Sequence, residues 1–341
     1  MITSSEEVSK NSLNLEIKNI AERMGIQHVK DALYFPKFFQ IETIRVCNAR
    51  CPFCAIDQWD KSTPMMSDEL FDKIVNELSE YAHWIDVVNL ARAGEPLLDK
   101  KIVERTRQIK EAGIKKITLS TNASKLTEEK SIGLLNAGLD DIMLSIDSVE
   151  KENYEKMRVG LKYETVMSNI ETLFKVRDEI KPDAIVRVRG VSYFDLENSE
   201  DRRVLNMWEE FWEKFKKPHD RIYMKKLHSW GNQIDVADRT EGIAEADYGE
   251  IYHPCIIPWS TMHISAMGIV GLCPQDYDAK FNLGDINNQS IAEVWQDKKL
   301  EKIRKLHQSG ERNKIKLCQG CKIFDLDFSI EKKDQKELYT D

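Results

Sequence analysis

Three cysteines fall within eight residues, Cys47-Asn-Ala-Arg-Cys51-Pro-Phe-Cys54, and the segment Ile41–Val46 leading into them alternates like a strand. Thiolates spaced C-x3-C-x2-C can converge on three corners of one iron–sulfur cube, leaving the fourth iron without a protein ligand. An iron with an open position can bind a small molecule and hand it an electron. A zinc or structural site is the competing reading, but a structural zinc normally takes four ligands in two close pairs.

The rest of the chain sets the context for that chemistry. Its 341 residues suffice for one large domain and a smaller one. A hydrophobic content of 41% with 32% charged residues is that of an ordinary globular chain, so a packed core is expected. The net charge of −8 argues against an extended nucleic-acid footprint, which needs a basic face. No apolar run reaches the roughly 20 residues of a membrane span, and Met1 to Leu13 lacks the apolar stretch of a signal peptide. Seven cysteines, an odd number, then read as metal ligands or reactive thiols and not as disulfides. The expectation is a cytoplasmic enzyme with no nucleic-acid partner and no membrane.

Residues 1–36 form a polar lead with a short amphipathic helix over Leu13–Met24. Strand-like and helix-like segments then alternate. Strands are expected at Ile41–Val46, Trp84–Ala91, Lys116–Ser120, Asp141–Asp147, Ala184–Tyr193 and Arg221–Lys226. Helices are expected from the Ser67 N-cap to Leu78, over Lys101–Ala112 and Thr127–Ala137 with Gly113 and Gly138 as stops, and over Tyr163–Asp178. A further helix carries the stripe Val204, Trp208, Phe211 and Phe215, read as core packing. Six such repeats predict an α/β fold with a parallel sheet, a partial (β/α)6 TIM-like barrel too short to close, with its chemistry at the C-terminal strand ends. Residues 37–230 make up this barrel and 231–250 an acidic connector. Residues 251–325 form a small C-terminal iron–sulfur domain, and 326–341 a charged tail.

The cysteine loop, with aromatic Phe53 before the last thiol, resembles the signature of radical S-adenosylmethionine (SAM) enzymes. Arg92-Ala93-Gly94-Glu95-Pro96 resembles that family's Gly-Gly-Glu-Pro motif, with Ala93 replacing the first glycine. The resemblance implies that Ala93, Gly94, Glu95 and Pro96 meet the SAM amino group, which needs carbonyl and carboxylate acceptors. It places Ser120 or Asn122 near the ribose or amino-acid end and Ser145 near the carboxylate. Arg187 and Arg189 share one face of their strand, and relatives place a SAM- or substrate-contacting arginine there, which favours Arg187.

The remaining cysteines are Cys255, Cys273, Cys318 and Cys321, arranged around Gly268-Ile-Val-Gly-Leu-Cys273, Leu283-Gly-Asp-Ile286 and Ile291-Ala-Glu-Val-Trp295. Their order resembles the SPASM/twitch extension of radical SAM enzymes. That resemblance implies one auxiliary [4Fe–4S] cluster with complete thiolate ligation; a four-cysteine zinc ribbon is the alternative.

Taken together, the resemblances imply two [4Fe–4S] clusters, SAM as cofactor, a flavodoxin or ferredoxin as reductant, and a 5′-deoxyadenosyl radical that removes hydrogen from a substrate carbon. The organisation is most similar to aminoglycoside-tailoring dehydrogenases. It implies oxidation of a secondary alcohol on a sugar or aminocyclitol, with His228 as candidate base. A radical epimerase and a peptide maturase forming crosslinks are the alternatives.

Overall fold

The computed structural model describes residues 20–192, 199–226, 230, 254–319 and 321. Strands β1 (Phe38–Ile41), β2 (Val87–Asn89), β3 (Lys116–Thr121), β4 (Asp141–Ser145), β5 (Ile185–Ser192) and β6 (Arg221–Lys226) pair in parallel and in sequence order. The other edge of β1 pairs in parallel with β7 (Thr261–Ile264), followed by antiparallel β8 (Ile269–Gly271) and β9 (Gly284–Asp285). The sheet runs β6-β5-β4-β3-β2-β1-β7-β8-β9 and stays open.

The helices α1 (Asp68–Glu80), α2 (Ile102–Glu111), α3 (Glu128–Asn136), α4 (Lys151–Met157), α5 (Tyr163–Ile180) and α6 (Ser199–Glu213) connect the strands. Ser67 caps α1 by accepting the Leu70 N–H, and Thr127 caps α3 through the Lys130 N–H. Gly113 and Gly138 end α2 and α3 at φ of 88° and 99°, the left-handed geometry a glycine stop provides. Alternate strand residues, among them Val88, Ile117, Leu119, Ile142, Leu144, Val186 and Val188, pack against these helices in one core. Trp208 and Trp212 of α6 are fully buried in it, and the Trp208 indole donates to the Ile146 carbonyl at 3.0 Å.

Fixing that face to the helices leaves the opposite parity for the concave side: Ser120 on β3, Asp141, Met143 and Ser145 on β4, Arg187 and Arg189 on β5, Tyr223 on β6. The site lies on this side.

Several strands are shorter than the sequence pattern predicts. The first ends at Ile41, and Glu42 to Val46 leave the ladder. Arg45 N–H turns to Pro64 O at 2.7 Å, and Val46 O accepts Glu95 N–H at 2.8 Å. The alternation in this stretch reflects buried polar side chains, with Glu42, Thr43 and Arg45 all enclosed. The second strand shrinks from Trp84–Ala91 to Val87–Asn89, and the fourth ends at Ser145. The parallel strand β7 was not anticipated. It joins the C-terminal segment directly to the barrel sheet.

Candidate active site

The loop between β1 and α1 carries the first three thiols. It turns at Cys51, whose carbonyl accepts the Cys54 N–H at 3.0 Å, and is tied to the far wall by Arg50 N–H to Val159 O at 2.8 Å. Donors point at the sulfurs. Cys47 Sγ faces the Ala49 N–H at 3.4 Å and the Asn122 side-chain amide at 3.9 Å, and Cys51 Sγ faces the Arg158 guanidinium at 3.7 Å. Burial pushes the Cys47 thiol up to about 11 and the Cys54 thiol up to about 12. Cys51 is also raised by burial, against the pull of Arg158. Thiolates crowded this way repel one another and need a shared cation. A structural zinc normally takes four ligands, whereas three thiolates suit a cube with one open iron. The donor set fits an iron–sulfur cluster.

The second loop sits directly against this one. Gly94 packs under the passage from Ile41 to Cys47: a Cβ at that position would stand 2.2 Å from Ile44 O and 2.8 Å from Val46 O. Ala93 packs with Phe53 and the cysteines. Pro96 opens a 3-10 turn capped by Glu95. The Glu95 carboxylate is buried and committed, accepting Leu97 N–H at 3.1 Å, Thr121 O–H at 2.6 Å and Asn122 N–H at 2.8 Å, while burial raises its pKa. It ties the second loop to the end of β3. Asn122 accepts from Ser124 and donates to Asn48 at 3.1 Å, forming a polar cluster beside Cys47. Ser120 stands on the same concave parity, opposite Met143.

On the far wall, Asp147 receives a fork from Arg158, Nε at 2.5 Å and NH2 at 2.9 Å, and also the Val191 N–H at 2.8 Å. Arg158 lies 5.2 Å over the Phe53 ring. Burial lowers its pKa, but Asp147 and Cys51 more than offset this and the net shift is upward. Arg187 is bound by Asp141 at 2.6 Å, toward the N-terminal end of β4 and away from the cysteine loop. Arg189 lies opposite Ser145, one row nearer the mouth. His228 lies outside the described residues.

The C-terminal thiols form a second group. Burial raises the Cys273 thiol well above its usual range, helped by Cys318 and Cys321. His307, on α7 (Lys298–Gln308), joins two of the cysteines: its Nδ1 accepts the Cys255 backbone N–H at 3.0 Å and its Nε2 stands 3.8 Å from Cys318 Sγ. Burial, reinforced by Arg312, pulls the imidazole down to about 3, so it is neutral. These four sulfurs are again gathered from distant chain segments, with a nitrogen turned toward one of them, which suits a cluster.

A buried charge network links the two groups. Arg92, one residue before Ala93, donates to Tyr277 O at 3.0 Å and to Asp276 O, close after Cys273 in the chain. Glu42 bonds Arg45 at 3.2 Å, the Ala266 N–H at 3.0 Å and the Ala93 N–H, and Arg45 reaches Asp278. Arg158, Asn48, Ser124, His307 and this network escaped the sequence reading. They join residues far apart in the chain, so no local spacing marks them.

An open parallel barrel with three thiols at its mouth, an apposed Gly-Glu-Pro loop and a second thiol group defines a SAM-dependent radical enzyme. The radical SAM superfamily matches residues 41–202, and the SPASM iron–sulfur cluster-binding domain matches residues 255–322. The chain carries a radical SAM domain followed by a SPASM domain. SAM and two [4Fe–4S] clusters are its cofactors.

A probable GTP 3′,8-cyclase of Methanococcus maripaludis is 32% identical over 139 residues, 40% of this chain and 45% of the relative. A tungsten-containing aldehyde ferredoxin oxidoreductase cofactor-modifying protein of Pyrococcus furiosus is 25% identical over 155 residues, 45% of this chain and 43% of the relative. The chain thus spans about half the length of the curated relatives it matches. Among solved structures, BtrN in complex with AdoMet and 2-DOIA superposes with a TM-score of 0.55 at 18% identity, covering 83% of this chain and 91% of that one. Streptococcus suis SuiB bound to the precursor peptide SuiA gives 0.62 at 16% identity, covering 94% and 78%. At these identities the likeness is one of fold. No described helix is long and apolar enough to cross a membrane.

Proposed function

We propose that this chain is a radical SAM oxidoreductase that oxidises a secondary alcohol on a sugar or aminocyclitol to a ketone. The observation that carries this reading is the division of all seven cysteines into a group of three and a group of four. No thiol remains to return a hydrogen atom, as an epimerase would require, and a fully ligated second cluster suits removal of an electron. When bound, SAM and the cluster with the open iron supply the radical that abstracts hydrogen. A flavodoxin or ferredoxin is the proposed reductant.

The residues then take these roles. Cys47, Cys51 and Cys54 hold one cluster, and Cys255, Cys273, Cys318 and Cys321 the other. Phe53 and the Ala93–Pro96 loop form the wall against SAM, with Glu95 fixing that loop to Asn122. Ser120, Asn122 and Ser145 offer hydroxyl and amide groups along the concave face. Arg158 and Asn122 hold the Cys51 and Cys47 sulfurs by donation. Arg187 braces Asp141, and His228 remains the candidate base. The fold likeness to BtrN, whose structure carries 2-DOIA, and the small-molecule name of the GTP 3′,8-cyclase relatives support a small substrate.

The test is an anaerobic turnover of the reconstituted protein with SAM, reductant and site-deuterated polyols. Deuterium is expected in 5′-deoxyadenosine, with one ketone formed per SAM consumed. Label transfer from peptides alone, or a complete absence of 5′-deoxyadenosine, would sink the reading.

His307 carries a separate expectation. Because Nδ1 accepts from Cys255, the imidazole proton sits on Nε2 and points at the Cys318 sulfur. Donation to a ligating sulfur raises a cluster's reduction potential. Removing a bond worth about 1 kcal/mol corresponds to about 40 mV on a one-electron couple. His307→Phe should therefore lower the auxiliary cluster's potential by about that amount in an EPR-monitored titration, and leave the other cluster unmoved.

A further inference from the structure

We propose that Arg189, with Ser145 in register beside it, forms an oxyanion subsite on the concave face, and that the substrate carries a phosphate or carboxylate bound there. This rests on the reading of the concave face as the substrate cleft and extends it to the substrate's charge.

Ser145, Arg189 and Tyr223 are one row of the sheet. Ser145 on β4 is in register with Arg189 on β5, which is in register with Tyr223 on β6. They share the parity opposite the core-facing Leu144, Val188 and Met224. Adjacent strands lie about 4.8 Å apart, which puts the Ser145 hydroxyl and the Arg189 guanidinium on neighbouring positions; both can donate, and the guanidinium cannot accept. Tyr223 is spent on the adjacent row, its hydroxyl donating to Met143 Sδ at 3.3 Å and bonded with Arg187.

The acids nearby are already used. Asp141 is held by Arg187 at 2.6 Å, and Asp147 by the Arg158 fork at 2.5 and 2.9 Å. Among the described residues the Arg189 side chain has neither a hydrogen bond nor an ion pair, and its Nε is buried without an acceptor. The residue as a whole is half-buried. Burial is the largest influence and disfavours its charged form; Tyr223 and Asp147 favour that form, Arg158 and Arg187 oppose it, and the net shift is downward. An enclosed guanidinium between two others is stable only with an anion against it.

The SAM carboxylate is the rival occupant. Arg158 is better placed for that role, since it already lies 3.7 Å from Cys51 Sγ beside the cluster loop. Arg189 makes no contact with that loop. Asp141 and Asp147 offset Arg187 and Arg158, which leaves Arg189 as the uncompensated charge on this wall. A phosphorylated or carboxylated sugar fits it, and planar fork recognition serves both oxyanions.

The experiment uses the cluster-loaded, SAM-bound protein and reads binding by calorimetry, with no turnover needed. The probes are inorganic pyrophosphate, glucose 1-phosphate, glucuronate and neutral glucose. At least one anionic probe should bind while glucose does not, and the preference between phosphate and glucuronate names the group. Arg189→Gln should weaken that probe tenfold or more, and Arg189→Lys should fall between. Both variants should keep the wild-type iron content and bind SAM within about twofold. A tenfold loss of SAM affinity in Arg189→Gln would assign the residue to the SAM carboxylate and overturn the proposal. So would equal binding of every anionic probe by wild type and variant, or binding of none by the wild type. Because no product is measured, failure of the oxidation reading leaves this result standing, and the converse also holds.

Discussion

Gly94→Ala is expected to cost about 3 kcal/mol of stability, the top of the usual range for overpacked sites, and to abolish measurable SAM binding. The added methyl would sit 2.2 Å from Ile44 O, 2.8 Å from Val46 O and 2.9 Å from the Ile44 carbonyl carbon. All three are backbone atoms, so no side chain can swing away and the two loops must separate. Separation breaks the Glu95 N–H bond to Val46 O and pulls the Glu95 brace away from Thr121 and Asn122. Those contacts hold the loop proposed to face SAM against the first cysteine loop, so binding and stability fall together. Ala93→Gly makes the control. Position 93 already accommodates a methyl group, and its replacement should change stability by less than about 1 kcal/mol. Urea unfolding and SAM titration of both variants check the pair. A Gly94→Ala protein that unfolds like wild type and binds SAM normally would refute the close-approach argument.

Legibility in the sequence followed locality. The cysteine spacing, the Ser67 and Thr127 caps and the glycine stops are short-range devices, and each was readable before the fold was known. The alternation of β3 to β6 sufficed to predict a parallel open sheet. It also put Arg187 and Arg189 on one face, but parity cannot say which acid each will meet. Asp141 stands 46 residues from Arg187, and their pairing leaves Arg189 as the open guanidinium. Glu42 and Arg45 misled in the opposite way. They read as the polar half of a strand, yet they are enclosed in a network closed by Arg92 and Asp278. The same network couples the Arg92–Pro96 loop to the segment after Cys273. The fold-level resemblance named the two parts, but not this joint between them.

Arg158→Met should be the most damaging single change on the far wall, at about 3–5 kcal/mol, because it leaves the Asp147 carboxylate buried with its main partner gone. That carboxylate is 4% exposed as a residue and would keep only the Val191 N–H at 2.8 Å. Arg158 follows α4, a helix the sequence reading passed over, and its fork reaches back across eleven residues to the end of β4. Arg158→Lys retains a charge but not the planar fork, and should recover only part of the loss. The double variant Asp147→Asn with Arg158→Met removes both charges and should recover most of the stability, since an unpaired buried ion costs far more than an absent pair. Cluster chemistry separates the two functions of the residue. The double variant should remain folded yet lack the guanidinium 3.7 Å from Cys51 Sγ, so its SAM-binding cluster should titrate at a lower potential than wild type. Stability that fails to return in the double variant would mean that Arg158 acts through packing over Phe53. An unchanged potential would mean that its approach to Cys51 has no electronic consequence.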